Sequence, residues 1–562
     1  MLVLSRTLWL PLFPGGSVRV AHRESPWDFE NVACGHRFKL YPRVGLPSSP
    51  IRFTPYSSFH SLKSGQSIRM LFFRRYAFIG ALTAATSRPV LAMQSEPNDR
   101  VKRRRIFTEA EKVTLRAQHV REAWGVLHPS TVPPKCNLTV ASTLGVLSGD
   151  APAPIHDSPF SGLVPPPPPP WRPGLPLPDW RDAQCDWLRR VKSALTPMHE
   201  ELVQQSDPAI RTFVARSNSF VLEHLLRLYG HDDPQVWDIT RFGARVEGYL
   251  GGRSSWPVVD FADYGPIKTK AEVIHSQAPH LTKFLKSVRS GPHDATLWES
   301  SLEDVQQQRM YGPFDSVQAV CESLGVDSVL IHRRFAVVQP DKTRPCDDAR
   351  RSGGNLVTRQ TRKVTLSTLD HVQGQIARTR SVFQERLLLW KRDHKAAYRQ
   401  VSLHPEELRL AVVVFRHPET KQLVFFVHRA LPFGFVASVT QYNRISQAIA
   451  FLANRVLLVP VDNYFDDFWA VEPASLATSG FATFGVLSSE ILGFEMKLAK
   501  DVEPTEHGET LGHAVSLGFP PFSFSPTTSR VTKLVDVLTR SLDSEELTPT
   551  EAGSVAGNVT TR

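Results

Sequence analysis

Two adjacent acids inside an apolar segment constrain this chain more than any other feature of its sequence. Asp466 and Asp467 lie in LLVPVDNYFDDFWAV, residues 457–471, between two halves that have the composition of strands. Neighbouring carboxylates repel each other, so an embedded Asp-Asp pair predicts a cation that neutralises it. A solvent-exposed hairpin tip is the alternative, although the aromatic residues on both sides of the pair argue against a purely solvated tip.

A third acid lies in a second segment, WKRDHKAAYRQVSL, which begins at Trp390. This acid is Asp393, at the end of an apolar run, and Tyr398 follows it five residues later. In isolation, Asp393 is equally well explained as a helix cap or a surface acid. Its assignment to a site therefore depends on the other motifs of the chain.

The sequence around these acids mixes strand and helix patterns. After Val329, the segments RRFAVVQ, LRLAVVVF and KQLVFFVHRAL have the β-branched and aromatic density of buried strands. HPETK, residues 417–421, has turn chemistry and predicts a hairpin between the last two. Upstream, AQCDWLRRVKSAL and SNSFVLEHLLRLYG repeat apolar residues at helical spacing, and the Gly-Pro cluster at 251–257 interrupts the chain. The predicted fold class is therefore α+β.

The ordered series of motifs resembles that of reverse transcriptases. DHKAAYRQ is similar to motif A of that family, LPFGFVASVTQYNR to motif B, and YFDDF to the Tyr-x-Asp-Asp of motif C. LGFEMKLAKD resembles motif D, TLGHAVSL resembles motif E, and KTRPCDDARRSGGN resembles a segment of the fingers. These matches cover about residues 329–517. The resemblance implies the fingers and palm of a right-hand polymerase, an antiparallel sheet with packed helices.

The resemblance also implies a metal centre. Asp393 and Asp466 would ligate two Mg²⁺ ions about 4 Å apart, and the backbone carbonyl of His394 would assist. Asp467 would complete the acidic cluster, and Mn²⁺ is the alternative ion. One ion would activate the primer 3′-hydroxyl, and the other would hold the β- and γ-phosphates.

Two basic residues match positions that contact the nucleotide in the family. Arg344 would meet the triphosphate of the incoming nucleotide with a fixed cationic fork. Lys500, at the family's motif D lysine, would donate a proton to the leaving pyrophosphate. The alternative for Lys500 is an exposed lysine in a basic segment.

Substrate choice is expected to depend on three further residues. The ring of Tyr398 would clash with a 2′-hydroxyl and so admit deoxynucleotides, although a purely structural tyrosine is the alternative. Phe433 resembles the aromatic found in retrotransposon enzymes. Gly434 would let the backbone approach template and nucleotide closely before a predicted helix, residues 437–453. Val439 departs from the small-Pro pattern usual after this turn, and His394 and Lys395 replace the commoner apolar pair of motif A.

Four regions are expected along the chain. Residues 1–175 are predicted to be a basic, Pro-rich and largely disordered region that ends in a polyproline linker at 165–170. Residues 176–300 would form a helical extension, and residues 301–520 the reverse transcriptase fingers and palm. Residues 521–562 resemble the beginning of a thumb or connection that is cut short.

Composition limits the partners and the compartment. Lys and Arg exceed Asp and Glu by 66 to 55, which favours a polyanion, here an RNA or DNA template with its primer. The apolar stretch at 76–86 is too short to cross a bilayer, so no membrane partner is expected. Five scattered cysteines favour a reducing, intracellular compartment, cytoplasm or nucleus. KRRR at 102–105 is either a solvated charge run or a nuclear-import signal, and the apolar run at 1–13 is interrupted by prolines.

The function expected from these features is RNA-directed DNA synthesis from deoxynucleoside triphosphates by a retrotransposon enzyme. Phe433 and the sequence around motif A lean toward long-terminal-repeat or tyrosine-recombinase (DIRS-like) elements. One alternative is an inactive or domesticated relic that binds nucleic acid, which the short tail would favour. The other is an RNA-dependent RNA polymerase, which Tyr398 and the Phe465-Asp466-Asp467 sequence oppose, because that class usually carries Gly-Asp-Asp.

Overall fold

The computed structural model describes residues 2–5, 8–10, 27–29, 40–42, 137–148, 155–163, 176–260, 267–339, 342–518, 522–544, 548 and 551–552. Most of the region 1–175, for which disorder was predicted, lies outside these residues. So do the basic run 102–105, the apolar stretch 76–86, the polyproline run 165–170 and nearly all of the tail 548–562.

The chain divides into two compact units. The larger contains residues 104–508 and 517–521, and the smaller contains residues 1–103, 509–516 and 522–562. The predicted boundaries at 175, 300 and 520 stay predictions.

Thirteen helices are described below in chain order. None of those in the described ranges is long and apolar enough to span a bilayer. They are α1 (Leu138–Ser148), α2 (Leu177–Gln205), α3 (Arg211–Arg216), α4 (Ser219–Leu228), α5 (Val236–Phe242), α6 (Lys270–Gln277), α7 (Leu281–Ser287), α8 (Asp294–Gln306), α9 (Val317–Leu324), α10 (Leu369–Val382), α11 (Val436–Val456), α12 (Ala474–Gly485) and α13 (Thr528–Ser544).

The strands are mostly short and follow the apolar segments of the sequence. They are β1 (Leu2–Ser5), β2 (Leu8–Leu10), β3 (Trp27–Phe29), β4 (Leu40–Pro42), β5 (Gly248–Leu250), β6 (Met310–Phe314), β7 (Ile331–Val338), β8 (Thr343–Asp347), β9 (Thr358–Gln360), β10 (Leu387–Asp393), β11 (Val412–Arg416), β12 (Leu423–His428), β13 (Asp462–Tyr464), β14 (Asp467–Pro473), β15 (Val502–Thr505), β16 (His507–Thr510), β17 (His513–Ser516) and β18 (Ser523–Pro526).

A four-stranded antiparallel sheet, in the order β13-β14-β10-β15, carries the acids. Its central strands β10 and β14 are apolar, and α10 and α12 pack against them. The long helix α11 is buried along almost its whole length and contacts β13. The helix predicted over 437–453 is therefore confirmed, with one more residue at its start and three more at its end.

A five-stranded sheet, in the order β6-β12-β11-β7-β8, follows the three predicted strand segments. The predicted hairpin around 417–421 is confirmed, because β11 and β12 pair antiparallel from Val412↔Val427 to Arg416↔Leu423. The sheet is mixed rather than antiparallel, since β11 runs parallel to β7. Parallel pairing needs a long crossover, which the chain makes through β8, α10 and β10. The LRL residues that precede β11 form a 3₁₀ turn, Pro405–Leu410, instead of extending the strand.

The smaller unit contains the antiparallel pairs β1–β2, β3–β4 and β17–β18, and helix α13. Strand β16 crosses the boundary between the units along the chain, with residues 507–508 in the larger unit and residues 509–510 in the smaller. Within the smaller unit, Thr527 N–H donates to the carbonyl of Gly512, and α13 begins at the next residue. Gly512 has a φ of 72° and follows Leu511 at 51°, which makes the tight turn between β16 and β17.

One buried arginine joins helix α2 to the four-stranded sheet. Arg181 Nη2 lies 2.6 Å from Glu472 Oε1, and both side chains are almost fully buried. The same guanidinium donates to the carbonyls of Leu457, Leu458 and Leu476. On the sheet side, Trp390 Nε1 donates to Glu472 Oε2 at 2.9 Å. Every polar group of this pair thus has a partner, the condition under which a buried ion pair is tolerated.

We expect Arg181→Met to lower the free energy of unfolding by about 3–5 kcal/mol, because it leaves a buried carboxylate and three carbonyls without their donor. The matched control is Arg189→Met, which removes an exposed ion pair with Glu490 on the same helix and should cost less than about 1 kcal/mol. Urea unfolding followed by circular dichroism measures both. Equal effects of the two substitutions would contradict the anchoring role of Arg181.

Candidate active site

The structure brings the three predicted acids together at one edge of the four-stranded sheet. Asp393 ends β10 and Asp467 begins β14, and the antiparallel register places them directly opposite each other. A two-residue turn, Phe465 and Asp466, connects β13 to β14, with Phe465 at a φ of 55°. His394 N–H donates to the carbonyl of Asp466 at 3.1 Å, which fixes this turn against the end of β10.

The electrostatics of the site reflect this crowding. Burial, and then the charges of Asp393 and Asp467, raise the pKa of Asp466 to about 6. The ionised form of Asp466 is therefore disfavoured both by burial and by the two neighbouring carboxylates.

Lys500 supplies the positive charge that the site contains. Its Nζ donates to Asp393 Oδ2, and about half of the lysine side chain is exposed. Burial lowers the pKa of Lys500, but this hydrogen bond and the three carboxylates outweigh burial and raise it. In the described parts of the chain, no three His, Cys, Asp or Glu side chains already form a metal-binding group. The ammonium group of Lys500 neutralises Asp393.

His394 is present in the site through its backbone alone. Its ring nitrogens are hydrogen bonded to Tyr442 Oη at 2.8 Å and to Ser488 Oγ at 3.0 Å, and burial lowers the pKa of the imidazole to about 3. His394 and Met496 form an isolated β-bridge. The hydrogen bonds of this bridge are made by neighbouring residues: Lys395 N–H donates to Glu495 O, and Lys497 N–H donates to Asp393 O. The role expected for the carbonyl of His394 stays a prediction.

Tyr398 lies in a 3₁₀ turn, Ala397–Gln400, just beyond β10. Its ring centroid is 4.9 Å from that of Tyr442 and 5.5 Å from that of Phe433. Burial, and then the charges of Asp466 and Tyr464, raise the pKa of its phenol. The ring of Tyr398 thus lies near Asp466 and packs against Tyr442.

The motif B turn approaches the fingers segment closely. Gly434 has a φ of 100°, and a Cβ at this position would collide with the carbonyl oxygen of Asp347. Phe433, the preceding residue, is 40% exposed. Asn355 holds the turn on its other side, because its Nδ2 donates to Gly434 O at 3.1 Å and its Oδ1 accepts from Val436 N at 3.0 Å.

Asn355 was not singled out in the sequence. The signal was its position in RRSGGN, inside the segment that resembles the fingers, but neither contact is local in sequence.

Arg344 is not brought to the acids. It lies on β8 opposite Val337, near the end of the β7–β8 hairpin, and its side chain is exposed. Its contact with a triphosphate stays a prediction.

A buried ionic network missed in the sequence lies below the motif B turn. Arg399 donates to Asp304 Oδ2 and to His428 Nδ1, both at 2.8 Å. His428 Nε2 therefore carries the ring proton and donates to Asp347 Oδ2 at 2.8 Å. Burial raises the pKa of Asp347, but Arg334 and His428 outweigh it and hold this pKa below its usual value. The network connects the segment that carries Tyr398 with the strand beneath Gly434.

Among known proteins, the similarities found to this chain are to solved structures. No protein-family model matches it, and no curated protein matches it either. The chain is similar to a foamy viral protease-reverse transcriptase bound to double-stranded DNA, at 13% identity and a TM-score of 0.32, over 65% of this chain and 51% of that one.

Two further structures of the foamy viral enzyme give similar values. The complex with an RNA/DNA hybrid has a TM-score of 0.33 at 13% identity, over 61% of this chain and 37% of that one. A complex with double-stranded DNA has 0.31 at 13%, over 65% and 61%. This chain thus spans less than two thirds of each, and likeness at this level does not identify a family.

We expect Asp466→Asn to stabilise the protein in the absence of divalent cations by about 2 kcal/mol above pH 7. The pKa of Asp466 is raised from 3.8 to about 6, so the folded state loses stability as the pH rises from 4 to 6. The neutral amide avoids this loss, and its advantage should shrink as the pH is lowered through that window. Urea unfolding in EDTA at pH 7.5, 6 and 4.5 measures it. A pH-independent difference would contradict the repulsion.

Proposed function

We propose that this chain is an RNA-directed DNA polymerase of a retrotransposon, which adds deoxynucleotides to a primer 3′ end. The observation that carries the proposal is the meeting of Asp393, Asp466 and Asp467 at one sheet edge with the ring of Tyr398 beside them. The order of the motifs in the sequence supports it. RNA or DNA template with primer and deoxynucleoside triphosphates are the proposed partners.

The carboxylates fit a divalent cation, because Asp393 lies directly opposite Asp467 and because burial and these two charges raise the pKa of Asp466. Asp393, Asp466 and Asp467, with the His394 carbonyl, would hold two Mg²⁺ or Mn²⁺ ions. The ions would supply charge neutralisation and in-line alignment for phosphoryl transfer. The two-residue turn and the β10–β14 register hold the carboxylates at one place.

Lys500 has a second role in this proposal. Its ammonium group neutralises Asp393 while the site has no cation, and its half-exposed side chain can leave that carboxylate. Once released, it would donate a proton to the pyrophosphate that departs. Arg344, on the hairpin above, would add a positive charge to the triphosphate.

Tyr398 would select the sugar. Tyr442, on the buried helix α11, packs against the ring of Tyr398. The ring of Tyr398 therefore cannot move toward α11 unless the core repacks. A 2′-hydroxyl that met this ring would clash with it. Deoxynucleotides are therefore the proposed substrates, and ribonucleotide synthesis is the disfavoured alternative.

We expect purified protein with Mg²⁺ and deoxynucleotides to extend a primer on an RNA template, and Asp466→Asn to reduce this by more than about 100-fold through loss of a metal ligand. Glu419→Gln, at an exposed acid of the β11–β12 turn, is the matched control and should extend normally. Binding of the primer-template duplex should survive in all three proteins.

Extension retained by Asp466→Asn would place the catalytic site elsewhere. If neither wild type nor control extends the primer while both bind the duplex, the chain is the nucleic-acid-binding relic.

We expect Tyr398→Ala to lower the discrimination between deoxynucleotides and ribonucleotides by roughly 10- to 100-fold, since it removes the ring that meets the 2′-hydroxyl. Tyr398→Phe keeps the ring and should keep the discrimination. Single-nucleotide incorporation with each sugar measures the ratio of kcat/KM values. An unchanged ratio in the alanine variant would assign Tyr398 to packing alone.

A further inference from the structure

Three arginines from distant parts of the larger unit meet behind the motif A turn. Arg216 ends helix α3, Arg309 precedes β6 and Arg429 follows β12. Arg309 and Arg429 are buried, and Arg216 is half-buried. Arg216 and Arg309 both precede residue 329, so two of these cations come from outside the motif series.

Aromatic rings and backbone hydrogen bonds hold the three arginines in place. The guanidinium carbons of Arg216 and Arg429 lie 5.1 and 5.8 Å from the ring centroid of Phe213. Arg429 also lies 4.7 Å from the ring centroid of Tyr311 and donates to the carbonyls of Ala209 and Pro208. Its backbone N–H donates to the carbonyl of Arg309 at 2.8 Å.

The surrounding carboxylates accept their hydrogen bonds from other donors, although Asp304 also forms a long ion pair with Arg309. Glu495, the nearest to Arg216, accepts from Lys395 Nζ at 3.0 Å. Asp304 accepts from Arg399 at 2.8 Å and lies 3.8 Å from Arg309 Nη1, beyond hydrogen-bonding distance.

Asp207, the carboxylate that acts on Arg429, accepts from the backbone N–H of Ala209 at 2.7 Å. Among the residues that the structure describes, none of the three arginines therefore has a carboxylate oxygen within hydrogen-bonding distance.

This arrangement is costly unless an anion completes it. Burial, and then the charges of Arg309 and Arg429, lower the pKa of Arg216, although Glu495 partly opposes them. Arg309 Nε is buried and has no hydrogen-bond partner. Buried donors without partners and like charges in proximity both oppose folding. An anion with several oxygens would remove both penalties.

The cluster adjoins the candidate active site. Lys395, two residues beyond Asp393, lies at its exposed rim, and the N–H of Lys395 donates to the carbonyl of Glu495 at 2.8 Å. Arg309 also lines a cavity of about 190 Å³ whose wall includes Ala396 and Phe433. An anion bound here would therefore be next to the place where phosphoryl transfer is proposed.

We propose that Arg216, Arg309 and Arg429, with Lys395 at the rim, form a binding site for inorganic pyrophosphate. The choice of this anion rests on the proposed function, because DNA synthesis releases pyrophosphate beside Asp393. Pyrophosphate has more oxygens and more negative charge than inorganic phosphate, so it can accept from all three guanidinium groups and Lys395 together. Inorganic phosphate should therefore bind more weakly. The site would draw the product away from the acids and oppose the reverse reaction.

Titration calorimetry of the full chain with pyrophosphate tests the proposal, in EDTA and without nucleic acid. We expect Arg216→Gln to weaken pyrophosphate binding about tenfold, the equivalent of about one charge-assisted hydrogen bond. Arg190→Gln, at an exposed arginine of α2, is the matched control and should bind as the wild type does. Sulfate at equal ionic strength should compete weakly.

Lys395→Gln is a second variant for the case in which Arg216→Gln does not fold. Lys395 is exposed, and we expect its loss to weaken binding about threefold. No binding by the wild type would overturn the proposal, and so would equal affinity in the wild type and the Arg216 and Lys395 variants.

The outcome is separable from that of the proposed function, because neither metal nor primer is present in this measurement. If the protein binds pyrophosphate but does not extend the primer, the proposal of a polymerase fails and the proposal of an anion site stands. If it extends the primer but does not bind pyrophosphate, only the proposal of the anion site fails.

Discussion

The antiparallel register that sets Asp393 opposite Asp467 is the constraint on which the rest of the site depends. It forces two carboxylates to the same sheet edge, and the two-residue turn adds Asp466 as a third. Burial of Asp466 and its repulsion by Asp393 and Asp467 are both unfavourable, and together they raise its pKa. The β10–β14 pairing and the apolar packing behind it must therefore contribute enough free energy to hold the acids together. The divalent cation of the proposed function would offset this electrostatic cost.

The surroundings of the acids are rigid for a related reason. Buried polar groups have defined partners, which limits each element to one position: Arg181 fixes α2 to Glu472, and Arg399, His428 and Asp347 connect the segment of Tyr398 with the strand beneath Gly434. Moving one member would leave another buried and unpaired. Asn355 adds a two-point contact with the motif B turn. The surroundings of the acids are thus placed by hydrogen bonds as well as by packing.

Local sequence patterns predicted the elements that local physics decides. The strand segments after Val329, the hairpin at 417–421 and the helix beginning near Ala437 all rest on periodicity and turn chemistry within a few residues. An antiparallel sheet was predicted, and the four-stranded sheet is antiparallel, but the five-stranded sheet contains the parallel pair β7–β11. Local patterns could not predict this pair, because it depends on the long crossover between the two strands. Arg216, Arg309 and Arg429 were invisible for the same reason, since each is an ordinary arginine in its own segment. The family resemblance predicted that Asp393, Asp466 and Asp467 lie together, and the structure brings them to one sheet edge.

Lys500 decides how the acids behave before any cation arrives. Its ammonium group lowers the cost of assembling three carboxylates, so the protein can fold without metal. Because the lysine is about half exposed, its attraction to Asp393 is weakened by solvent, whereas a divalent ion in contact with several carboxylates has twice the charge and no side-chain entropy to lose. In the proposed function, a divalent ion would therefore displace Lys500 from Asp393. The displaced ammonium group would then lie beside the leaving group, where it would act on the product.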